Sequence, residues 1–320
     1  MKMFDSGKAI ALHLGVIALL FALQFIVSEY DKLTLTRVMV IAIYAIGYNV
    51  LFGYTGLLSL GHALFFATGL YAAGLPVYYF GWSVPVAFVF AIGVSLLVSF
   101  LIGVIALRTA GVSFMIVTLM FAQAAYLLVF FFTDYTQGDA GLTLPAAGRK
   151  FSILGQVVDL TNADTRYNLA FILLTLAVLV VFVLVRSPGG RVLVAIRENE
   201  ERTQMLGYDS FANKLKAFLV AGGLSGASGA TFALLFAYVG ASFASIQYSI
   251  EVLLFTLLGG AGTILGPLLG TTFMIYLIDK ISEFTTAYLL IVGAALIVLI
   301  LWFPKGILGT VRERWLAWLP

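Results

Sequence analysis

Recurrent apolar segments of about 20 residues are the feature that most constrains this chain. A helix needs roughly 20 apolar residues to cross the hydrocarbon core of a bilayer. Because 62% of the residues are hydrophobic and only 10% are charged, a soluble fold could not bury so much apolar surface. We therefore predict an all-α, polytopic transmembrane helical bundle that forms one membrane domain over residues 1–320. Its clearest spans are 9–28, 33–52, 63–80, 84–107, 112–132, 168–186, 216–240 and 286–303.

A further apolar region, 250–279, is cut by the glycine-rich sequence at 259–263. It could form one long broken helix or two short spans near 249–259 and 264–279. Cytoplasmic loops of membrane proteins are enriched in Lys and Arg. With two spans and a cytoplasmic N-terminus, the basic C-terminal tail also falls inside, which favours about ten spans with both termini cytoplasmic. The basic residues then inside are Lys2, Lys8, Arg108, Arg186, Arg191, Arg197, Arg202, Lys214, Lys216, Lys305, Arg312 and Arg314.

Two uncharged, glycine-rich interruptions are the candidate pathway elements. Irregular backbone at membrane depth survives only when it is buried in protein or lines a wet cavity. The first glycine break (residues 53–62) could line the substrate route, or be a plain cytoplasmic turn with His62 on the surface. The second glycine break (residues 259–263) could be a hinge, or glycines that let helices pack closely. Their similar glycine spacing allows an internal repeat. The candidate pathway residues are Gly53, Thr55, Gly56, Ser59, Gly61, His62, Gly259, Gly260, Gly262 and Thr263.

The charged segment 187–207 is predicted to be a cytoplasmic helix. Ser187 and Pro188 suit its start, and Gly207 suits its end. Two i,i+4 pairs of opposite charge, Arg197–Glu201 and Glu198–Arg202, support one face, and Val192, Ala195, Ile196 and Leu206 form the other. The helix could lie on the membrane surface, or dock a cytoplasmic partner. The candidate docking residues are Arg191, Ile196, Arg197, Glu198, Asn199, Glu200, Arg202 and Gly207.

The remaining charge pattern limits the chemistry. The outer segment 134–167 could receive an extracytoplasmic partner or merely connect spans. The chain has no G-x-x-x-x-G-K-[ST] phosphate loop and no cysteine, and its two histidines lie far apart. We predict no catalytic residue, cofactor or metal site, and no nucleic-acid partner. A stand-alone secondary transporter or channel stays open as an alternative, although no paired carboxylates lie inside the apolar spans.

Several segments resemble the permeases of branched-chain amino-acid importers. They are GLLSLGH at 56–62, GVSF at 111–114, SPGGR at 187–191 with AIRENE at 195–200, LGGAGT at 258–263, and PKGILG at 304–309. The resemblance covers nearly the whole chain. It departs at TQGDAGL, residues 136–142, where Gln137 replaces a glycine of the family pattern.

The resemblance implies a permease subunit of an ATP-binding-cassette importer in the bacterial inner membrane. Such a subunit pairs with a second homologous permease, two cytoplasmic ATP-binding subunits and a periplasmic substrate-binding protein. ATP hydrolysis would then belong to the separate subunits, and segment 187–207 would couple to them. The substrates of the family are leucine, isoleucine and valine, and close relatives carry urea or short amides.

Overall fold

A computed structural model describes residues 6–153, 156–303 and 305–314 of the chain. Lys2 and Pro304, which carried part of the sequence argument, lie outside the described residues. The helices are α1 Ser6–Leu23, α2 Glu29–Asn49, α3 Ala63–Phe80, α4 Val84–Ala106, α5 Gly111–Phe131, α6 Thr133–Thr136, α7 Ala163–Arg186, α8 Pro188–Glu198, α9 Glu200–Met205, α10 Ser210–Phe236, α11 Ile246–Gly259, α12 Gly266–Phe284, α13 Tyr288–Trp302 and α14 Ile307–Arg314. The strands are β1 Leu142–Thr143, β2 Lys150–Ile153, β3 Gln156–Asp159 and β4 Tyr238–Val239.

The prediction of an all-α polytopic bundle is confirmed. Within the described ranges, six helices are long and apolar enough to cross a membrane, namely α2 with its π-helical extension to Tyr54, α3, α4, α5, α7 and α10. The second glycine break divides region 250–279 into α11 and α12, which is the two-helix alternative. Because α1, α11 and α13 are shorter apolar helices, the full count of about ten spans stays a prediction.

Helices α2, α3 and α10 form the centre of the bundle. Their residues are mostly buried, whereas most residues of α4, α5 and α7 are at least partly exposed. Lipid tails are as apolar as leucine, so helices in a membrane associate through close packing of small residues. On α3, a Cβ added to Gly69 would lie 1.9 Å from the carbonyl oxygen of Gly226 on α10. A Cβ added to Gly229 would lie equally close, 1.9 Å, to the carbonyl oxygen of Phe66.

Successive long helices run in opposite directions between two ends of the bundle. At one end, Lys32 at the start of α2 pairs with Asp164 at the start of α7, 2.7 Å apart. The β2–β3 hairpin lies here, and we call this the hairpin end. At the other end, α2 leads into the first glycine break and α14 contacts the second, since Arg312 donates to the Gly262 carbonyl over 3.3 Å. We call this the break end.

Short strands and turns give the hairpin end a defined structure. Strand β1 pairs with β4, and β2 pairs with β3, both antiparallel. Arg149 joins this region to the bundle, because its guanidinium donates to the carbonyls of Leu234 and Leu235 at the end of α10. Hydrogen bonds from Thr161, and an ion pair with Lys150, lower the pKa of Asp159 to about 2. The described parts of segment 134–167 therefore form folded structure rather than an irregular connection.

Gln137 keeps the backbone shape that a glycine would favour. Its φ is 58°, in the left-handed region, and its N–H donates to the Thr133 carbonyl over 2.8 Å to end α6. This conformation costs an L-residue with a side chain roughly 1–2 kcal/mol. Gln137 therefore occupies a backbone conformation that a glycine would adopt at lower cost.

The close contact between α3 and α10 predicts that Gly69→Ala destabilises the protein. The new methyl group would collide with the Gly226 carbonyl, and such overpacking costs about 1–3 kcal/mol. Gly93→Ala is the matched control, because an added Cβ there meets nothing within 4 Å in the described part of the chain. Thermal unfolding in detergent should show a lower midpoint for Gly69→Ala alone. Equal midpoints for the two variants would contradict the packing.

Candidate functional site

The two glycine breaks, more than 190 residues apart in sequence, meet at the break end. Asn49, the last residue of α2, donates from Nδ2 to the Thr263 carbonyl over 2.9 Å. Its Oδ1 accepts from the Gly262 N–H, also over 2.9 Å. Most of the predicted pathway residues are buried in this junction or beside it, whereas Gly56 is exposed. The buried ones are Gly53, Thr55, Ser59, Gly61, His62, Gly259, Gly260, Gly262 and Thr263.

His62 lies inside the bundle, so the alternative that placed it on the surface is wrong. Its side chain is fully buried, and Nε2 lies 2.8 Å from the hydroxyl of Ser225 on α10. Its ring stacks on that of Tyr44, with 5.7 Å between centroids. Nearby, the Ser59 carbonyl accepts from the Tyr48 hydroxyl over 3.1 Å. The first glycine break is therefore a backbone segment held by side chains of α2 and α10, as irregular structure inside a membrane protein requires.

The predicted single helix over 187–207 is two helices. Asn199 adopts an extended conformation, with φ −161° and ψ 106°, and ends α8. Its side chain accepts from the Arg202 N–H over 2.8 Å and so caps the start of α9. This break separates the members of both predicted charge pairs. Asn has a low helix propensity and is a preferred N-cap, so a helix boundary here is chemically ordinary.

The buried face of α8 also differs from the prediction. Leu193 and Ile196 are buried, together with Gly190, at an i,i+3 spacing. Ala195 and Leu206, which were predicted to share the apolar face, are exposed. Because Ile196 is only 4% exposed, it packs within this chain and is not itself a free contact for a partner. The exposed candidate residues are Arg191, Arg197, Glu198, Asn199, Arg202 and Gly207.

Arg197 connects α8 to the first glycine break. Its guanidinium donates to the Gly53 carbonyl. Its stem lies against Gly56, and its Nη1 atom lies beside Gly262, 3.0 Å from where a Cβ would be. The side chain therefore reaches both breaks from the outside. Glu200 anchors the next helix, because its carboxylate pairs with the Lys214 ammonium of α10 over 2.5 Å.

An exposed apolar tip at the end of α9 was missed by the sequence reasoning. Met205 is 84% exposed and Leu206 is 72% exposed, and Tyr208 beside them is also exposed. Gly207, with φ 88°, turns the chain between them. The sequence signal for this tip is a pair of apolar residues directly before a helix-ending glycine in the most charged segment of the chain. Treating 187–207 as one continuous helix, with no break at Asn199, placed Leu206 on the inner face instead.

A cavity of about 420 Å³ lies between α3 and α5. Its walls are almost entirely apolar, formed by residues such as Leu64, Leu75 and Leu128, with Thr68 and Tyr71 among its few polar residues. The described lining shares no residue with the predicted pathway set. The glycine breaks therefore do not line this cavity, although they lie next to helices that do.

These features can be compared with known proteins. A family described as a branched-chain amino acid transport system permease component matches residues 32–301. The chain belongs to this family. It is therefore a multi-pass membrane protein of a transport system, and its helices are those of a permease.

Curated relatives cover almost the whole chain. The high-affinity branched-chain amino acid transport system permease protein LivM of Salmonella typhimurium is 29% identical over 329 aligned residues, which cover 96% of this chain and 77% of the relative. LivM of Escherichia coli is 28% identical, with the same coverage of 96% and 77%. No solved structure gives a significant match.

The contact between Arg197 and Gly53 makes a prediction that tests the junction directly. Arg197→Ala should leave the buried Gly53 carbonyl without its donor, and an unsatisfied buried group costs about 1–3 kcal/mol. Amide hydrogen exchange at residues 53–57 should then accelerate severalfold. Arg191→Ala, an exposed arginine six residues earlier on the same helix, is the control and should leave that exchange unchanged. Equal protection in both variants would show that Arg197 does not hold the break.

Proposed function

We propose that this chain is a permease subunit of a binding-protein-dependent ABC importer for branched-chain amino acids. Its partners would be a second, homologous permease, two cytoplasmic ATP-binding subunits and a periplasmic substrate-binding protein. The observation that carries the proposal is the family match over residues 32–301, with relatives whose names state branched-chain amino acid transport. ATP hydrolysis belongs to the separate subunits, and this chain provides half of the pathway.

The charge distribution supports an orientation with the break end in the cytoplasm of a bacterium with an inner membrane. Most of the described basic residues lie at that end, and cytoplasmic loops carry the excess of Lys and Arg. The start of α1 and the end of α14 lie at the same end, so both would lie on the cytoplasmic side in this orientation. The hairpin end then faces the periplasm, where a binding protein delivers substrate to segment 134–167.

The segment 187–207 supports coupling to an ATP-binding subunit. It presents the exposed Met205 and Leu206 next to charged residues of α8 and α9. An apolar tip with a charged surround has the composition of a small protein interface, since apolar groups supply the affinity and charges the specificity. The bond from Arg197 to Gly53 gives a direct route from this surface to the membrane helices. Alternating access would follow when ATP binding displaces the segment.

The cavity between α3 and α5 supports an aliphatic substrate rather than urea. Ligand sites match their ligands, with apolar walls for apolar groups and a few placed polar groups for orientation. This open cleft, with a volume of about 420 Å³ and mostly apolar walls, accommodates an aliphatic side chain, and polar residues such as Thr68 and Tyr71 are available to the amino and carboxylate groups. A urea site would instead need convergent hydrogen-bonding groups, because every part of urea is polar.

Uptake by the reconstituted complex tests the substrate class. Proteoliposomes with the second permease, the ATP-binding subunits and the binding protein should accumulate labelled leucine in an ATP-dependent manner. Unlabelled isoleucine and valine should compete for uptake, whereas urea should not, because the cavity walls are apolar. Competition by urea would assign the chain to the related amide importers. Full leucine uptake by this chain alone, insensitive to ATP depletion, would sink the proposal.

The apolar tip predicts where the ATP-binding subunit docks. Met205→Ser with Leu206→Ser should weaken association of that subunit by about tenfold or more, since burying one such side chain contributes about 1.5–3 kcal/mol. Pull-down and ATPase titration of the purified permease pair would measure it. Ile26→Ser is the control, because Ile26 is similarly exposed but lies at the hairpin end. A membrane-surface role for the segment would instead leave association intact.

A further inference from the structure

Asn49 occupies a buried position between the two glycine breaks, and neither break includes it. Its side chain is 0% exposed. Both ends of its amide are used, Oδ1 by the Gly262 N–H and Nδ2 by the Thr263 carbonyl. These are backbone groups of the turn between α11 and α12, where regular helical bonding is interrupted. Asn49 therefore supplies hydrogen bonds that the turn would otherwise have to find elsewhere in an apolar setting.

The first glycine break lies directly against the same amide. A Cβ added to Gly53 would lie 1.9 Å from Asn49 Oδ1 and 2.5 Å from the Gly262 nitrogen. The backbone of the first break thus touches the backbone of the second, with the Asn49 amide held between them. The residues after Asn49 form a π-helical turn, Val50–Tyr54. Such a turn is frequent at functional sites and brings the Gly53 carbonyl to Arg197.

The charged segment contacts the two breaks unequally. Arg197 is hydrogen bonded to the first break through Gly53, and the second break receives a bond from Arg312 of α14. Arg197 and the Gly53 backbone both lie close to Gly262, and Thr256 of α11 donates to the Ala45 carbonyl of α2 over 3.4 Å. Among the described hydrogen bonds, the pair made by Asn49 joins α2 to the turn between α11 and α12 itself. A displacement of α8 therefore reaches the α11–α12 turn through that amide.

We propose that Asn49 is a positioning residue that makes the two glycine breaks move as one unit, so that a displacement of Arg197 reaches the α11–α12 hairpin as well as α2. The inference rests on the proposed coupling to an ATP-binding subunit. It predicts that α2, α11 and α12 respond together when the charged segment moves. Without Asn49, α2 would follow Arg197 while the hairpin lagged behind.

The ratio of ATP hydrolysed to leucine transported tests this role in the reconstituted importer. Asn49→Ala should raise that ratio about fivefold, within the range by which residues on a coupling route alter coupling. Ser228→Ala is the matched control, because the Ser228 hydroxyl is also fully buried and also bonds α2, through the Val40 carbonyl over 2.6 Å. It removes a comparable bond far from both breaks, so its ratio should match that of the unchanged chain. An unchanged ratio in Asn49→Ala, or the same rise in Ser228→Ala, would overturn the proposal.

Spin labels give a second readout that loss of stability alone would not move. The chain has no cysteine, so Leu58→Cys and Ala261→Cys would place one label in each break. Their separation should stay constant between the nucleotide-free and ATP-bound complex when Asn49 is present, and should change between these states in Asn49→Ala. If Asn49→Ala fails to assemble, Asn49→Ser replaces it in both measurements with the same expectation, since the shorter serine side chain does not place polar atoms where Nδ2 and Oδ1 meet Thr263 and Gly262. A constant separation in the Asn49 variant would overturn the proposal.

Failure of the proposed import function and failure of the proposed Asn49 role give different experimental results. If the unchanged complex shows no ATP-dependent uptake, the proposed function is wrong, whatever Asn49 does. If the unchanged complex is tightly coupled and Asn49→Ala couples equally well, the importer stands and only the role of Asn49 is lost.

Discussion

Backbone hydrogen bonding in an apolar environment is the constraint on which the structure depends. A helix satisfies its own N–H and C=O groups, so it can cross a membrane, but an interrupted helix leaves such groups open. This chain interrupts two helical regions with glycine-rich sequence, and side chains from outside each interruption bond to its backbone. The amide of Asn49 serves the Gly262 N–H and the Thr263 carbonyl, while the Arg197 guanidinium serves the Gly53 carbonyl. The need for backbone partners thus brings distant segments to one place.

The same constraint explains why the junction sits next to the charged segment. A buried backbone carbonyl is well satisfied by a guanidinium, which offers several donors, and an arginine can reach it from the aqueous side of the membrane boundary. Arg197 and Arg312 both do this, from α8 and α14. The surface that we propose as the docking site of the ATP-binding subunit is thereby bonded to backbone that is buried inside the membrane protein. The need of the buried Gly53 and Gly262 carbonyls for hydrogen-bond donors is therefore what connects the charged segment and α14 to the membrane helices.

Periodicity and composition were enough to predict the long helices, because an apolar run of sufficient length has few alternatives in a bilayer. They also located both glycine breaks, since uncharged glycine-rich sequence between apolar runs is unusual. They could not show that Gly53 touches Gly262, because a contact across more than 200 residues leaves no local pattern. They also failed at Asn199. Its neighbours had helix-compatible charge spacing, but the Asn199 side chain bonds the Arg202 N–H and starts a new helix there. That local competition moved Leu206 from the expected buried face to the exposed tip.

The exposed apolar surface of the bundle points to an incomplete pathway in one chain. Most residues of helices α4, α5 and α7 are at least partly exposed, and the cavity beside α5 opens to the same surroundings. Lipid can cover ordinary helix faces, but a cavity that admits a substrate must be closed to lipid on its open side. A second permease would close it, and α5 would then lie between the two subunits. In that arrangement the junction around Asn49 lies in the same subunit as one wall of the cavity. A movement of α2 and of the α11–α12 hairpin would then be transmitted to that wall through α3, which packs against α10 and contacts α11.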